Sequence, residues 1–166
     1  YVLLEYGTPL HAFDFDKLDN YLCVRYAKDG ESIITIDETE RKLTDKSVVI
    51  STKDTPVCIA GVFGGLNSEI DNNTKNIALE AANFTSHTNR KSGRAVGYRS
   101  EASARFERGV DCELVRCAIL RAAELMEKYA GAKIEGMTEI GTSCAPNIEI
   151  TLRNSEIKRI LGIDIP

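Results

Sequence analysis

Short runs of β-forming residues recur about every ten positions between Tyr21 and Ala60, each closed by a turn signal. Tyr21-Leu22-Cys23-Val24-Arg25-Tyr26 comes first, Asp29-Gly30 turns the chain, and Ser32-Ile33-Ile34-Thr35-Ile36 follows. Asp37-Glu38-Thr39 is a loop, and Arg41-Lys42-Leu43-Thr44 runs back beside its neighbour as a hairpin. Val48-Val49-Ile50-Ser51 and Pro56-Val57-Cys58-Ile59-Ala60 are two more strands. Strands this short at this spacing predict an antiparallel sheet or a compact barrel-like core. The last strand runs into a glycine-punctuated turn, Ala60-Gly61-Val62-Phe63-Gly64-Gly65. It is not a phosphate loop, because it lacks the Lys-Ser/Thr ending and the helical pattern that should follow. Its glycines would let a ligand approach the backbone.

Helical patterns flank this region. Val2, Leu3, Leu4 and Tyr6 read as the last turns of a helix stopped by Gly7, with Pro9 just beyond. Past Glu80, Thr85 or Ser86 caps a helix that runs through Ala95 and ends at Gly97. Ser100 caps a short helix over 101–108, stopped by Gly109. Asp111 caps the longest one. Its apolar positions Leu114, Val115, Ala118, Ile119, Ala122, Leu125, Met126 and Tyr129 repeat every three or four residues, which predicts a core-packing helix ended by Gly131. An extended stretch is expected over 134–141, then a polar break, Ser143-Cys144-Ala145-Pro146-Asn147, that reads as a linker. A fresh strand over 148–152 and a helix over 154–161 follow. The sum is an α+β fold: a core of antiparallel short strands packed with helices. Residues 1–146 form the main domain, and 147–166 the front end of a neighbouring one.

With 166 residues, 43% hydrophobic and 28% charged, the chain fits one globular domain and a fragment of a second. No apolar run approaches the roughly 20 residues that span a bilayer, and no signal peptide is visible. Cys23, Cys58, Cys112, Cys117 and Cys144 are scattered and odd in number, with no CxxC pair. Neither a metal site nor a disulfide framework is expected, and reduced thiols in the cytoplasm are the default. The net charge of −4 argues against a surface that coats itself with nucleic acid. A local patch is still open, because Arg90, Lys91, Arg94, Arg99, Arg105 and Arg108 face only Glu101 and Glu107. A solvated helix face is the commoner explanation of such a run, and a phosphate contact the alternative.

Two side chains stand out as chemistry. Glu80 lies inside Ile77-Ala78-Leu79-Glu80-Ala81-Ala82, and a carboxylate among small apolar residues is costly to bury unless something binds it. Local pattern favours a strand with one edge-facing Glu; the sharper reading is an acceptor in a pocket beside the glycine turn. His11 follows the first helix on what reads as a loop, flanked by Leu10, Ala12 and Phe13. A lone His in an apolar setting is more often structural, though a loop position raises its functional odds. Asp14 and Asp16 suit a cap or turn and lack the spacing of a calcium loop.

Four blocks occur in one order: GTPLHAFD (7–14), IAGVFGG (59–65), ALEAANF (78–84) and GYRSEASARFERGVD (97–111). They resemble the B3/B4 domain of the bacterial phenylalanyl-tRNA synthetase β subunit, over about residues 1–146, and the tail resembles the opening of the B5 domain. The resemblance implies an editing site that hydrolyses tyrosine mischarged onto tRNA(Phe), with free tyrosine as a ligand. It assigns His11 to the scissile ester and Glu80 to the tyrosine hydroxyl. It places Ala60, Gly61 and Gly64 in the turn lining the pocket, and Ser100 and Ala102 on the opposite wall. It further implies an α-subunit partner in a heterotetramer in the cytoplasm. That subunit would hold ATP, Mg and phenylalanine at the synthetic site, with no cofactor or metal in this stretch. Ser100 stands where many relatives have threonine, Thr8 for a common glutamine, and Phe63 for a common methionine; the last two are expected not to touch the chemistry.

The residues agree with that assignment. An apolar pocket distinguishes poorly between substrates differing by one hydroxyl, whereas a group that bonds the hydroxyl discriminates strongly. His11 could orient the water or the ribose hydroxyl, and backbone N–H groups of the glycine turn could serve as oxyanion donors. Arg94, Arg99 and Arg105 are the candidates for placing the tRNA acceptor end. Two other classes stay open: a tRNA-docking module without catalysis, and a structural spacer within the same subunit.

Overall fold

A computed structural model describes residues 1–141 and 149–163, with the side chain of Asn154 excepted. Cys144 and the expected linker at 143–147 lie outside the described residues. The chain opens with helix α1 (Val2–Tyr6), ended by Gly7 in the left-handed region at φ 73, whose N–H returns to Leu3 O at 2.9 Å. Strand β1 (Leu10–Asp14) follows, and Asp14 accepts from the Asp16 N–H to cap a 3-10 turn at Phe15–Lys17. Next come β2 (Cys23–Tyr26), β3 (Ser32–Ile34), β4 (Glu40–Lys42), β5 (Val48–Ser51), β6 (Pro56–Ile59), β7 (Phe63–Gly64) and β8 (Ile77–Ala81). The helices α2 (Ser86–Ala95), α3 (Glu101–Phe106), α4 (Glu113–Ala130) and α5 (Asn154–Leu161) complete the order. The fold is α+β, as its sequence predicts.

Among the described residues every strand pairing is antiparallel. β2-β5-β6-β7 form one sheet, β3-β4 the expected hairpin, and β1-β8 a separate ribbon. A bridge between Thr35 and Gly65 ties the end of the hairpin to the glycine turn. The ribbon is the departure from the sequence reading. His11 lies inside β1, not on a loop, because Leu10 to Asp14 pair in register with Ala81 to Ile77. That partner is remote in the chain, so no local pattern reveals it.

The core is divided. One cluster gathers Phe13, Leu18, Ile50, Val57, Cys58 and Ala60; another holds Ala27, Ile33, Leu43, Val49, Ile59 and Val62. Helix α4 is less central than its periodicity predicts. It buries only Ala118 and Ala122, which pack on Val2 with Tyr6, Leu10 and Leu79 around them, while Tyr129 is left 74% exposed. Ile134, Met137 and Ile140 are exposed, and the 134–141 stretch joins no strand ladder; neither do the described residues of 148–152.

Helix α2 reaches the sheet through hydrogen bonds instead of apolar burial. Its buried residues are Asn89, Ser92 and Gly93. Ser92 Oγ accepts from the Val48 N–H at 3.0 Å and donates to Lys46 O at 3.4 Å, and Asn89 Nδ2 donates to Ala60 O at 3.2 Å. A Cβ on Gly93 would lie 3.1 Å from Tyr98 O, a tight approach that glycine avoids. Removing a buried partner leaves the other group desolvated and unpaired. Ser92→Ala should therefore lower the denaturant midpoint at unchanged slope, by about 1–3 kcal/mol. A midpoint within error of the unmutated protein would show that α2 is held otherwise.

Candidate functional site

Pairing of β1 with β8 puts His11 directly opposite Glu80. Residues opposed in an antiparallel pair point to the same face, with Cβ atoms about 4.5–5.5 Å apart. That face opens into a cleft of about 200 Å³. Pro9, Leu10, His11 and Glu80 form one side, and Gly61, Val62, Phe63 and Gly64 bring the turn to it. Cys58 and Ile36 come from the sheet and hairpin, and Phe84, Ser100, Ala102 and Phe106 close it from the helical side. Phe84 and Phe106 meet edge to face at 5.0 Å.

Gly61 in the turn between β6 and β7, and Gly64 just after it, have no room for a side chain. Val62 N–H returns to Ile59 O at 2.8 Å, with Gly61 at φ 65. A Cβ on Gly61 would lie 2.5 Å from Asn89 Nδ2 and under 3 Å from both Phe84 and Phe106. A Cβ on Gly64 would lie 2.5 Å from His11 Cε1, so the imidazole rests on bare backbone. The N–H groups of Ala60, Val62 and Gly65 are already bonded to Val48, Ile59 and Val57 carbonyls. The turn thus offers fewer free donors to an oxyanion than its sequence suggests.

Electrostatically, burial disfavours the charged form of both facing side chains. Burial pushes the Glu80 carboxyl up to about 7, with no hydrogen bond from the described residues holding it down. Burial also lowers the His11 imidazole below its usual value, keeping it neutral near pH 7. Its ring stands edge-on to Phe13 at 4.5 Å. Cys58, beneath them, is fully buried; burial first, and the Glu80 charge second, raise its thiol well above the ordinary range. It is an inert lining group, not a nucleophile. Among the described residues no three His, Cys, Asp or Glu cluster as a metal site, and no helix is long and apolar enough to cross a membrane.

Of the residues singled out from sequence, His11, Gly61, Gly64, Glu80, Ser100 and Ala102 meet around this one cleft. Ala60 does not. Its side of the turn belongs to the core with Phe13 and Leu18, and it lines a neighbouring cavity of about 330 Å³ instead. Ser100 serves the fold: its Oγ donates to Val62 O at 2.7 Å and accepts from Ser103 N–H at 3.0 Å, capping α3 and pinning the turn. The arginines are not gathered at the cleft. Arg94 is exposed on α2, Arg99 is exposed and 3.8 Å from Glu107, and Arg105 is half-buried with an unpartnered Nε. Phe63, expected not to touch the chemistry, lines the cleft, as does Ile36, which only the hairpin brings there.

A family model described as the B3/4 domain matches residues 1–131. The β subunit of phenylalanine–tRNA ligase from Geobacillus kaustophilus is 46% identical over 164 residues, covering 98% of this chain and 20% of the relative. The same subunit from Oceanobacillus iheyensis is 44% identical over 170 residues, 99% of the chain and 21% of the relative. That from Carboxydothermus hydrogenoformans is 46% identical over 137 residues, 82% of the chain and 17% of the relative. The chain spans about a fifth of the length of the first two.

The raised Glu80 carboxyl has a consequence for stability. Its value of about 7 lies above the ordinary 4.5, so the folded chain binds this proton more tightly than the unfolded chain. The associated stability is fully present below pH 4.5 and lost as pH rises through 7. Glu80→Gln should match the unmutated protein at pH 4.5 and exceed it at pH 8.5 by on the order of 2–3 kcal/mol. Thermal unfolding at both pH values checks this, and an equal difference at each would refute it.

Proposed function

This chain belongs to the B3/4 domain family, and on that premise we propose that its cleft edits aminoacyl-tRNA in a phenylalanine–tRNA ligase β subunit. The reaction is hydrolysis of tyrosine mischarged onto tRNA(Phe). The observation that carries the reading is Glu80: a carboxyl on the cleft face, opposite a neutral histidine, with burial as the sole cause of its perturbation. A phenol hydroxyl would supply the hydrogen bond that the protein does not. A phenyl ring would leave the carboxyl desolvated and unpaired, so correctly charged tRNA is spared. The whole protein's partners, tRNA(Phe) and an α subunit holding ATP, Mg and phenylalanine at a separate site, belong to the same proposal.

In the hydrolysis, the water oxygen bonds to the ester carbonyl carbon and the bond to the ribose oxygen breaks. The ribose oxygen leaves with a proton. Neutral His11 is suited to orient the attacking water or accept its proton, because an imidazole kept uncharged by burial has a free nitrogen lone pair. Bare backbone at Gly64 gives the imidazole its position. The buried, raised Cys58 thiol and the doubly bonded Ser100 hydroxyl favour water over an enzyme nucleophile.

Calorimetry with free amino acids tests the discriminator in the full polypeptide in which this chain occurs. Tyrosine should bind more tightly than phenylalanine by about ten- to a hundredfold, the worth of a hydrogen bond to a charged partner. Glu80→Ala should erase most of that preference and Glu80→Gln retain part of it. His11→Ala should slow deacylation of tyrosyl-tRNA while leaving the fold intact. Equal affinity for the two amino acids in the unmutated protein defeats the editing reading.

The basic side chains serve the nucleic acid in this proposal. Arg94, Arg99 and Arg105 help to place the acceptor end. Replacing all three with alanine should weaken tRNA binding and flatten its salt dependence. Binding with an unchanged salt slope would make them structural.

A further inference from the structure

Arg41 lies outside the cleft, yet its guanidinium joins three of the segments that build it. The side chain is only 12% exposed. Nε donates to Thr35 Oγ1 at 3.0 Å, Nη2 to Asp37 Oδ2 at 2.6 Å, and Nη1 to Val96 O at 3.4 Å. Its carbon lies 4.7 Å from the ring centre of Tyr98 and 5.7 Å from that of Phe63. The two rings are stacked, with centroids 4.3 Å apart and planes 6° from parallel. Each segment feeds a residue into the cleft. Ile36 sits between Thr35 and Asp37, Phe63 is itself a wall, and Ser100 follows Tyr98 by two residues.

The chemistry of the clamp is specific to arginine. The guanidinium lies beside the Phe63–Tyr98 stack, 4.7 Å from one ring centre and 5.7 Å from the other, and packs against both rings at once. A planar fork can also bond a hydroxyl, a carboxylate and a carbonyl in different directions at once, which an ammonium on a flexible stem cannot. Thr35, fully buried, is held in turn, donating to Asp37 Oδ1 at 2.5 Å. The far end of the clamp is therefore rigid, and the Phe63–Tyr98 stack is what it positions.

We propose that Arg41 is a positioning residue of the cleft: it sets the place of the Phe63 wall and thereby the size of aromatic ring that is admitted. The proposal rests on the reading of the cleft as a receptor for a tyrosyl group. It predicts a selectivity effect separate from that of Glu80. Glu80 reads the hydroxyl; Arg41, acting through Phe63, limits the ring.

The test uses Arg41→Met, which keeps length and removes the fork, and Arg41→Lys, which keeps the charge, both in the full polypeptide. Hydrogen exchange by mass spectrometry, without ligand, should accelerate in Arg41→Met at 61–64 and 96–100 and not in the β1–β8 ribbon. Calorimetry should show the tyrosine-to-tryptophan affinity ratio falling about tenfold in Arg41→Met and less in Arg41→Lys. The tyrosine-to-phenylalanine ratio should stay unchanged. A simple loss of stability would weaken all three ligands together and leave the ratios in place, which would overturn the proposal, as would unaltered exchange at both segments. Failure of the unmutated protein to bind tyrosine would defeat the receptor reading, and exchange at 61–64 would then decide the positioning role by itself.

Discussion

The register of one two-stranded ribbon governs this molecule. Because Leu10 pairs with Ala81 and Asp14 with Ile77, His11 falls opposite Glu80 and both side chains leave the same face. A slip of one residue would send one of them to the other face, since side chains alternate along a strand. The register is locked from both faces. Phe13, two residues from His11 and on the same face, is fully buried in the core, while Leu10 and Leu79 on the other face pack against the cluster that Ala118 and Ala122 of α4 form with Val2. The longest helix thus contributes to the site by holding the ribbon from outside, without entering the cleft.

The remaining walls are attached by polar contacts as much as by apolar ones. Ser92 and Asn89 dock α2 onto β5 and the turn after β6, Ser100 ties α3 to Val62, and Arg41 ties the hairpin to the loop before α3. Hydrogen bonds are directional, so such contacts fix positions more sharply than packing of aliphatic groups does. They also explain why small residues recur at 60–65. Backbone and side chains of four different segments approach the turn closely, and any Cβ at Gly61 or Gly64 would collide with them.

The same enclosure carries a conflict between stability and chemistry. Walling in Glu80 raises its carboxyl to about 7, and walling in His11 lowers its imidazole, so each charged form is disfavoured by the fold itself. Perturbed groups of this kind cluster where a ligand completes the interaction. In the proposed editing reaction the tyrosine hydroxyl completes it for Glu80, and the reacting ester and water for His11.

Local chemistry was sufficient to place most helices and strands. Gly7, Gly97 and Gly131 mark helix ends because glycine alone reaches a left-handed φ without strain, and the short β runs bounded by turn residues became the strands of the sheets. The blocks around His11, Gly61, Glu80 and Ser100 also pointed to residues that do meet at one cleft. What the linear pattern could not supply was anything set by contact between distant segments. His11 reads as a loop residue until β8 pairs with it, Ala60 reads as a cleft wall until the turn directs it into the core, and α4 reads as a core helix until its neighbours cover only one narrow stripe. Arg41 and Phe63 carry no local signal at all. Their roles arise from a cation meeting two stacked rings brought from separate parts of the chain, which is a property of packing and not of any stretch of residues.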